Sequence, residues 1–147
     1  MIEIFPVMQQ VNELFYVYAD ALERFDAKAM AFLYQPPCIL LSDDATTVFN
    51  EYSKLEGFFN QGVSFYRQFG IANVKQEIWS KHNWTGKIVK VKVRWKYADI
   101  NTTPIYNCDY EYVLKTDKNN HLKIVMSISL NEREKMEEWQ KMKKSTK

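Results

Sequence analysis

The chain has 147 residues, 46% hydrophobic and 26% charged, with a formal charge of +2 at neutral pH. That length supports one domain burying roughly 70% of its unfolded surface, and with basic residues dense only at Lys141, Lys143, Lys144 and Lys147 there is little electrostatic case for nucleic acid. No run is long and apolar enough to cross a bilayer, and the first residues lack a secretory pattern, so a cytoplasmic protein with no membrane partner is expected.

Aromatic residues reach 15% of the chain, which demands a large core, a pocket, or both. Cys38 and Cys108 each sit inside an apolar run rather than in a spaced framework. They read as small buried hydrophobes in a reduced compartment, with no disulfide, metal or cofactor expected. The glycosylation-like triplets at Asn83 and Asn101 are chance matches in the absence of a secretory signal.

In chain order, Val7, Val11, Leu14, Phe15, Tyr18, Leu22 and Phe25 fall at helical spacing behind Pro6, predicting a long amphipathic helix. Tyr16 and Asp20 lie off its apolar stripe, on the solvent side. Asp26 is placed to cap a short helix that must stop before Pro36-Pro37. The prolines mark a corner, followed by short strands at 38–42 and 46–49 around an Asp43-Asp44-Ala45 turn. Asn50 is placed to cap a third helix striped by Tyr52, Leu55, Phe59, Val63 and Tyr66, which Phe58, Phe65 and Phe69 widen, with Gly70 as its terminator. A long and bulged strand is predicted from Ile71 to Trp84.

The clearest signal lies between Gly86 and Leu130. Val89, Val91, Val93, Trp95 and Tyr97 alternate with Lys90, Lys92, Arg94 and Lys96, as in an antiparallel strand buried on one side. Tyr106, Cys108, Tyr110, Tyr112 and Leu114 repeat the pattern, and Leu122, Ile124, Met126, Ile128 and Leu130 make a third inward set. Keeping Tyr97 and Tyr106 on one face sets Arg94 opposite Asp109 and Lys92 opposite Glu111. In the next hairpin the apolar phase and an Asn119-Asn120 turn disagree by one residue, so a bulge is expected there. Asn131 and Glu134 have the spacing of a capping box, and Glu132 and Glu134 open a last helix that the terminal lysines close. The expected class is α+β: a curved antiparallel sheet wrapped around three helices from the first half, plus a C-terminal helix and basic tail over 132–147, in a single domain spanning 1–147.

This order resembles the nuclear transport factor 2-like superfamily over nearly the whole chain. The stretches that carry the likeness are 25–34, the helix-to-strand corner, and 112–117 leading to 122–125, which looks like the family's closing hairpin. The resemblance implies a cone-shaped, cystatin-like roll whose sheet encloses a cavity, often paired as a homodimer through the outer sheet face. Members include ketosteroid isomerases, polyketide cyclases, dehydratases and transport factors, so the fold selects no activity. Trp79, Val113 and Val125 on the polar face support pairing.

Isomerases of this group need a carboxylate base near the first strands and a tyrosine plus a protonated acid as donors to an oxyanion. The strand at 38–42 holds no carboxylate, and Asp43 and Asp44 occupy a turn where Asp is favoured for local hydrogen bonding. With His82, they are the weak catalytic candidates. For ligand binding, the inward set Tyr18, Trp95, Tyr97, Cys108, Tyr110, Tyr112 and Met126 is the candidate wall, because several interior tyrosine hydroxyls require polar partners. Two readings follow. One is a dimeric module holding a small apolar or aromatic molecule, and the other a lyase or isomerase with an aspartate base and a tyrosine donor. The absence of an interior carboxylate in the strand favours the first, and an aspartate carboxylate inside the cavity within hydrogen-bond reach of a tyrosine hydroxyl would reverse that order.

Overall fold

A computed structural model describes residues 4–145, with side chains over 7–144. The elements run α1 (Ile4–Glu23), α2 (Ala27–Phe32), β1 (Tyr34–Leu41), β2 (Thr46–Phe49), α3 (Tyr52–Gln68), β3 (Asn73–Asn83), β4 (Ile88–Ala98), β5 (Pro104–Thr116), β6 (Leu122–Ser129) and α4 (Glu132–Ser145). The six strands form one curved sheet in the order β2-β1-β6-β5-β4-β3. Its pairings are antiparallel except β1 with β6, which is parallel, a join the expected all-antiparallel sheet did not contain.

The inner face is built by the predicted alternation. Val89, Val91, Val93, Trp95 and Tyr97 of β4 and Tyr106, Cys108, Tyr112 and Leu114 of β5 are buried, and Val11, Leu14, Phe15, Tyr18 and Leu22 of α1 join them in one core. At about 25 cal/mol per Å² of apolar surface removed from water, this layer is the main stabilising term. The outer face carries the charges. Arg94 and Asp109 are opposite each other and Lys92 faces Glu111. Arg94 grips Asp109 with two hydrogen bonds of 2.8 and 3.0 Å, whereas Glu111 takes its ion pair from Lys90 at 3.1 Å. Lys92 instead lies over the ring of Trp79.

Helix ends follow local chemistry, with two corrections. Asp26 caps α2 through a 3.0 Å bond from the Ala29 amide. Gly70, at φ +78°, ends α3 while the amides of Gly70 and Ile71 close back on the carbonyls of Arg67 and Tyr66, a termination that favours the residue without a Cβ. Asn50 is not the cap of α3; Glu51 holds that position without a side-chain bond. Asn131 makes no capping box, because its side-chain oxygen accepts from the Asp109 amide at 2.8 Å. The prolines do not precede the strand but lie within it, joined by a cis peptide bond. Extended backbone suits both, so β1 starts four residues earlier than expected and carries Pro36 and Pro37 within it, its pairing with β6 slipping between Tyr34 and Ile39.

Both expected bulges are present. Trp79 interrupts the β3 register between Ile78 and Ser80. In the last hairpin Leu114 pairs with Ile124 but Val113 pairs with Met126, leaving Val125 as the extra residue. Because side chains alternate with period two, one inserted residue exchanges the faces of everything after it. Ser127 and Ser129 therefore stand opposite inward Tyr112 and Tyr110, while Met126 and Ile128 stand opposite outward Val113 and Glu111.

Candidate functional site

A pocket of about 400 Å³ opens at one end of the sheet's inner face, between α3, the β1–β2 turn and the start of α4. That is within the usual range for small-molecule sites, which are mostly apolar with a few convergent polar groups. Aromatic side chains supply much of the wall: Tyr18 from α1, Phe59 and Tyr66 from α3, Trp95 and Tyr97 from β4, Tyr110 and Tyr112 from β5. Phe58 and Phe65, half exposed, flank the opening with Gly62 between them in sequence. The broad aromatic face of α3 is thus divided, with Leu55, Phe59 and Val63 in the core and its flanks at the rim.

Five of the seven proposed wall residues line this pocket: Tyr18, Trp95, Tyr97, Tyr110 and Tyr112. Cys108 faces inward opposite Trp95 but lies behind the wall, its thiol pushed well above the ordinary value chiefly by burial and then by the nearby Glu132 carboxylate. Met126 is a correction, since the Val125 bulge turns it to the outer face opposite Val113, and Ser127 takes its place at the pocket. Of the weak catalytic candidates, Asp44 stands at the mouth, where its carboxylate pairs with Arg133 at 2.9 Å. Asp43 is in the exposed turn outside the wall, and His82 is exposed on the outer face opposite Lys90. Tyr16 and Asp20 are also exposed, Asp20 paired with Arg24 at 2.8 Å.

The decisive side chain is Glu132, which the sequence reading assigned only to the first turn of the last helix. It is 8% exposed and forms the polar floor of the pocket. Its Oε2 accepts from the hydroxyls of Tyr66 at 2.7 Å and Tyr106 at 2.8 Å, and its Oε1 accepts a short bond from the Tyr110 hydroxyl. Tyr97 donates to Tyr66 behind it at 3.4 Å. Burial first, and this carboxylate next, push the phenols of Tyr66 and Tyr110 well above their ordinary range, so near neutral pH they act only as hydrogen-bonding hydroxyls. The geometry has a local cause: the Asn131 amide group is fastened to Asp109, which fixes the chain as it leaves β6 and aims the next side chain back across the sheet.

A second polar group lies deeper. The Trp95 indole donates to the Tyr112 hydroxyl at 2.9 Å, and the hydroxyls of Tyr18 and Tyr34 meet at 2.8 Å. Among the described residues no buried side-chain nitrogen or oxygen lacks a partner, so the interior tyrosines are satisfied by protein groups. Among the same residues, no cluster of His, Cys, Asp and Glu is arranged to hold a metal ion, and no helix is long and apolar enough to cross a membrane.

Solved structures share this architecture at low identity. An NTF-2 like protein of unknown function from Shewanella oneidensis MR-1 matches with a TM-score of 0.67 and 15% identity, over 84% of this chain and 98% of that one. An NTF2-like protein with a cystatin-like fold from Novosphingobium aromaticivorans gives 0.67 and 10%, over 86% and 82%. A ketosteroid isomerase-like protein from Erwinia carotovora atroseptica gives 0.62 and 13%, over 81% and 91%. These likenesses concern the fold. No curated protein matches the chain. The family model for NTF2-like protein (DUF6841) matches residues 9–132, and the chain belongs to that family.

Proposed function

We propose that this protein binds a small apolar or aromatic molecule in the pocket above Glu132. The observation that carries the reading is a half-open aromatic-walled hollow ending on one buried carboxylate whose remaining surroundings are hydrogen-bonded hydroxyls. Such a site supplies apolar contact for most of a ligand and one oriented polar contact. Gly62 offers a direct test, because it lines the pocket and a Cβ built there meets nothing within 4 Å. Gly62→Trp is designed to crowd the mouth, with an unchanged Tm as the control that the core is undisturbed. Binding of the uncharged fluorescent probe N-phenyl-1-naphthylamine, or of small molecules retained by protein purified from cells and detected by mass spectrometry, is expected for the native chain and lost in Gly62→Trp. Equal binding by both would remove the pocket from consideration.

A lyase or isomerase is the second reading, and the same carboxylate favours it. The expected aspartate base is replaced by Glu132, with Tyr110 as the donor to a developing oxyanion. It ranks second because three of the roughly four acceptor positions on a carboxylate are already taken by hydroxyls. Those same hydroxyls point their protons at Glu132 rather than at a substrate. Exchange of a bound carbon acid's α-proton for solvent deuterium, abolished in Glu132→Gln, would raise it to first.

The assembly we infer is a cytoplasmic homodimer joined through the outer sheet face. Val48, Ile39, Met126 and Val113 are register partners across β2, β1, β6 and β5, forming an apolar row on the side otherwise rich in lysine, which a second copy would cover. Free, buried Cys38 and Cys108 suit a reducing compartment. Light scattering at micromolar concentration should return twice the chain mass. A monomer mass would end the dimer proposal and leave the pocket untouched.

A further inference from the structure

Resting on that binding reading, we infer that the pocket selects a cation: a protonated amine carried on an apolar or aromatic body, its N–H directed at Glu132 and its charge set among the tyrosine and tryptophan faces. The argument starts from the direction of each hydrogen bond on the floor. Tyr66, Tyr106 and Tyr110 all donate to Glu132, and Tyr97 donates to Tyr66. With these protons spent, the cluster presents lone pairs to the hollow. Oε2 accepts two bonds and Oε1 one from the phenols, so of about four acceptor positions one is left, contested only by the neighbouring Cys108 thiol, a weak donor. A ligand group placed there must be a donor.

Charge narrows the class. The charged side chains on the wall are Asp44, Glu132 and Arg133, and Arg133 is paired outside with Asp44 and, at 3.5 Å, with Glu137. On the wall Arg133 offsets Asp44 while Glu137 adds negative charge outside it, so the acid of the interior that faces no basic side chain of the wall is Glu132, at the first turn of α4. An anion would face repulsion in a poorly solvated space, and a neutral apolar molecule would leave the open acceptor position without a donor. An ammonium satisfies both conditions, because charge-assisted bonds to carboxylates are roughly twice as strong as neutral ones. The walls add to this. Tyr66, Tyr97, Tyr110 and Trp95 line the same hollow, and aromatic faces attract cations held within about 6 Å of the ring. The thioether of Met136 and the aliphatic side chain of Leu40 leave room for the apolar body.

Three probes of one shape test the inference on the full chain at pH 7 by isothermal titration calorimetry: 2-phenylethylamine, 2-phenylethanol and phenylacetate. The ammonium is expected to bind about tenfold or more tightly than the alcohol, a ratio equal to about 1.4 kcal/mol, with phenylacetate weakest. In Glu132→Gln the amine's advantage should fall to roughly twofold or less. Tyr110→Phe keeps the carboxylate and frees a second acceptor position on it, so the amine's preference should be kept or increased. If Glu132→Gln fails to fold, the native ranking and Tyr110→Phe decide. Alcohol or phenylacetate binding as tightly as the amine overturns the cation inference and leaves the pocket reading standing. No binding of any probe at millimolar concentration overturns both.

Discussion

Replacing Glu132 with alanine should be among the most damaging single changes available in this chain. It removes the acceptor of three tyrosine hydroxyls at once, and hydrogen bonds to a charged partner contribute about 1.5–3 kcal/mol each. The sum overstates the loss, because the cluster borders the pocket and water admitted there can satisfy part of it. A loss of about 3–5 kcal/mol is the working figure, against a total stability of about 5–15 kcal/mol for a domain. For a chain of this size it corresponds to a fall of roughly 6–20 °C in Tm. Urea unfolding followed by tryptophan fluorescence measures it, and a double-mutant cycle with Tyr110→Phe isolates one bond, with an expected coupling of about 1.5–3 kcal/mol. A loss below about 1 kcal/mol, with no coupling, would refute the view that the tyrosine cluster is organised by this carboxylate.

Tyr112→Phe leaves the Trp95 indole N–H without its acceptor in a fully buried position, at a cost of about 1–3 kcal/mol by urea unfolding. Arg94 first, and Asn131 after it, hold the Asp109 carboxyl below its ordinary value, so its contribution is present above the unfolded carboxylate range and fades as pH falls through the depressed value. Asp109→Asn should therefore be less stable than the native chain at neutral pH by about 1–3 kcal/mol, with the gap narrowing below about pH 4. Asp26→Ala removes the α2 cap and should cost about 0.5–2 kcal/mol. Gly62→Ala, inside α3 with space around the added methyl, should raise stability by about 0.5–1 kcal/mol in thermal melts.

The sheet was legible because its alternation is regular and its charges are complementary. Arg94 and Asp109 select the β4–β5 register, since only one phase places both the apolar faces and the opposite charges together. The need for a bulge in the last hairpin was also readable, but its place was not. The five-residue turn over 117–121 is organised by the Asp117 carboxylate, which accepts from the amides of Asn119 and His121, and the extra residue sits farther along at Val125. That displacement sent Met126 outward. Glu132 escaped for a different reason: an acid in the first turn of a helix already has a sufficient local explanation in the dipole. The signal that would have found it was present. Tyr106 and Tyr110 sit at inward positions of β5, where their hydroxyls require an acceptor that no strand residue supplies, and the next acid after β6 is Glu132.

Val125 also makes wall chemistry depend on strand register at one point as well as on residue identity. Were the bulge straightened so that Val125 itself paired with Val113, Met126 and Ile128 would turn in and Ser127 and Ser129 out, whereas deleting Val125 would leave the present Val113–Met126 and Tyr112–Ser127 pairs in plain alternation. The wet side of the pocket is thus held by a one-residue choice of register, made while the tyrosine rack of β5 and the acid of α4 stay unaltered.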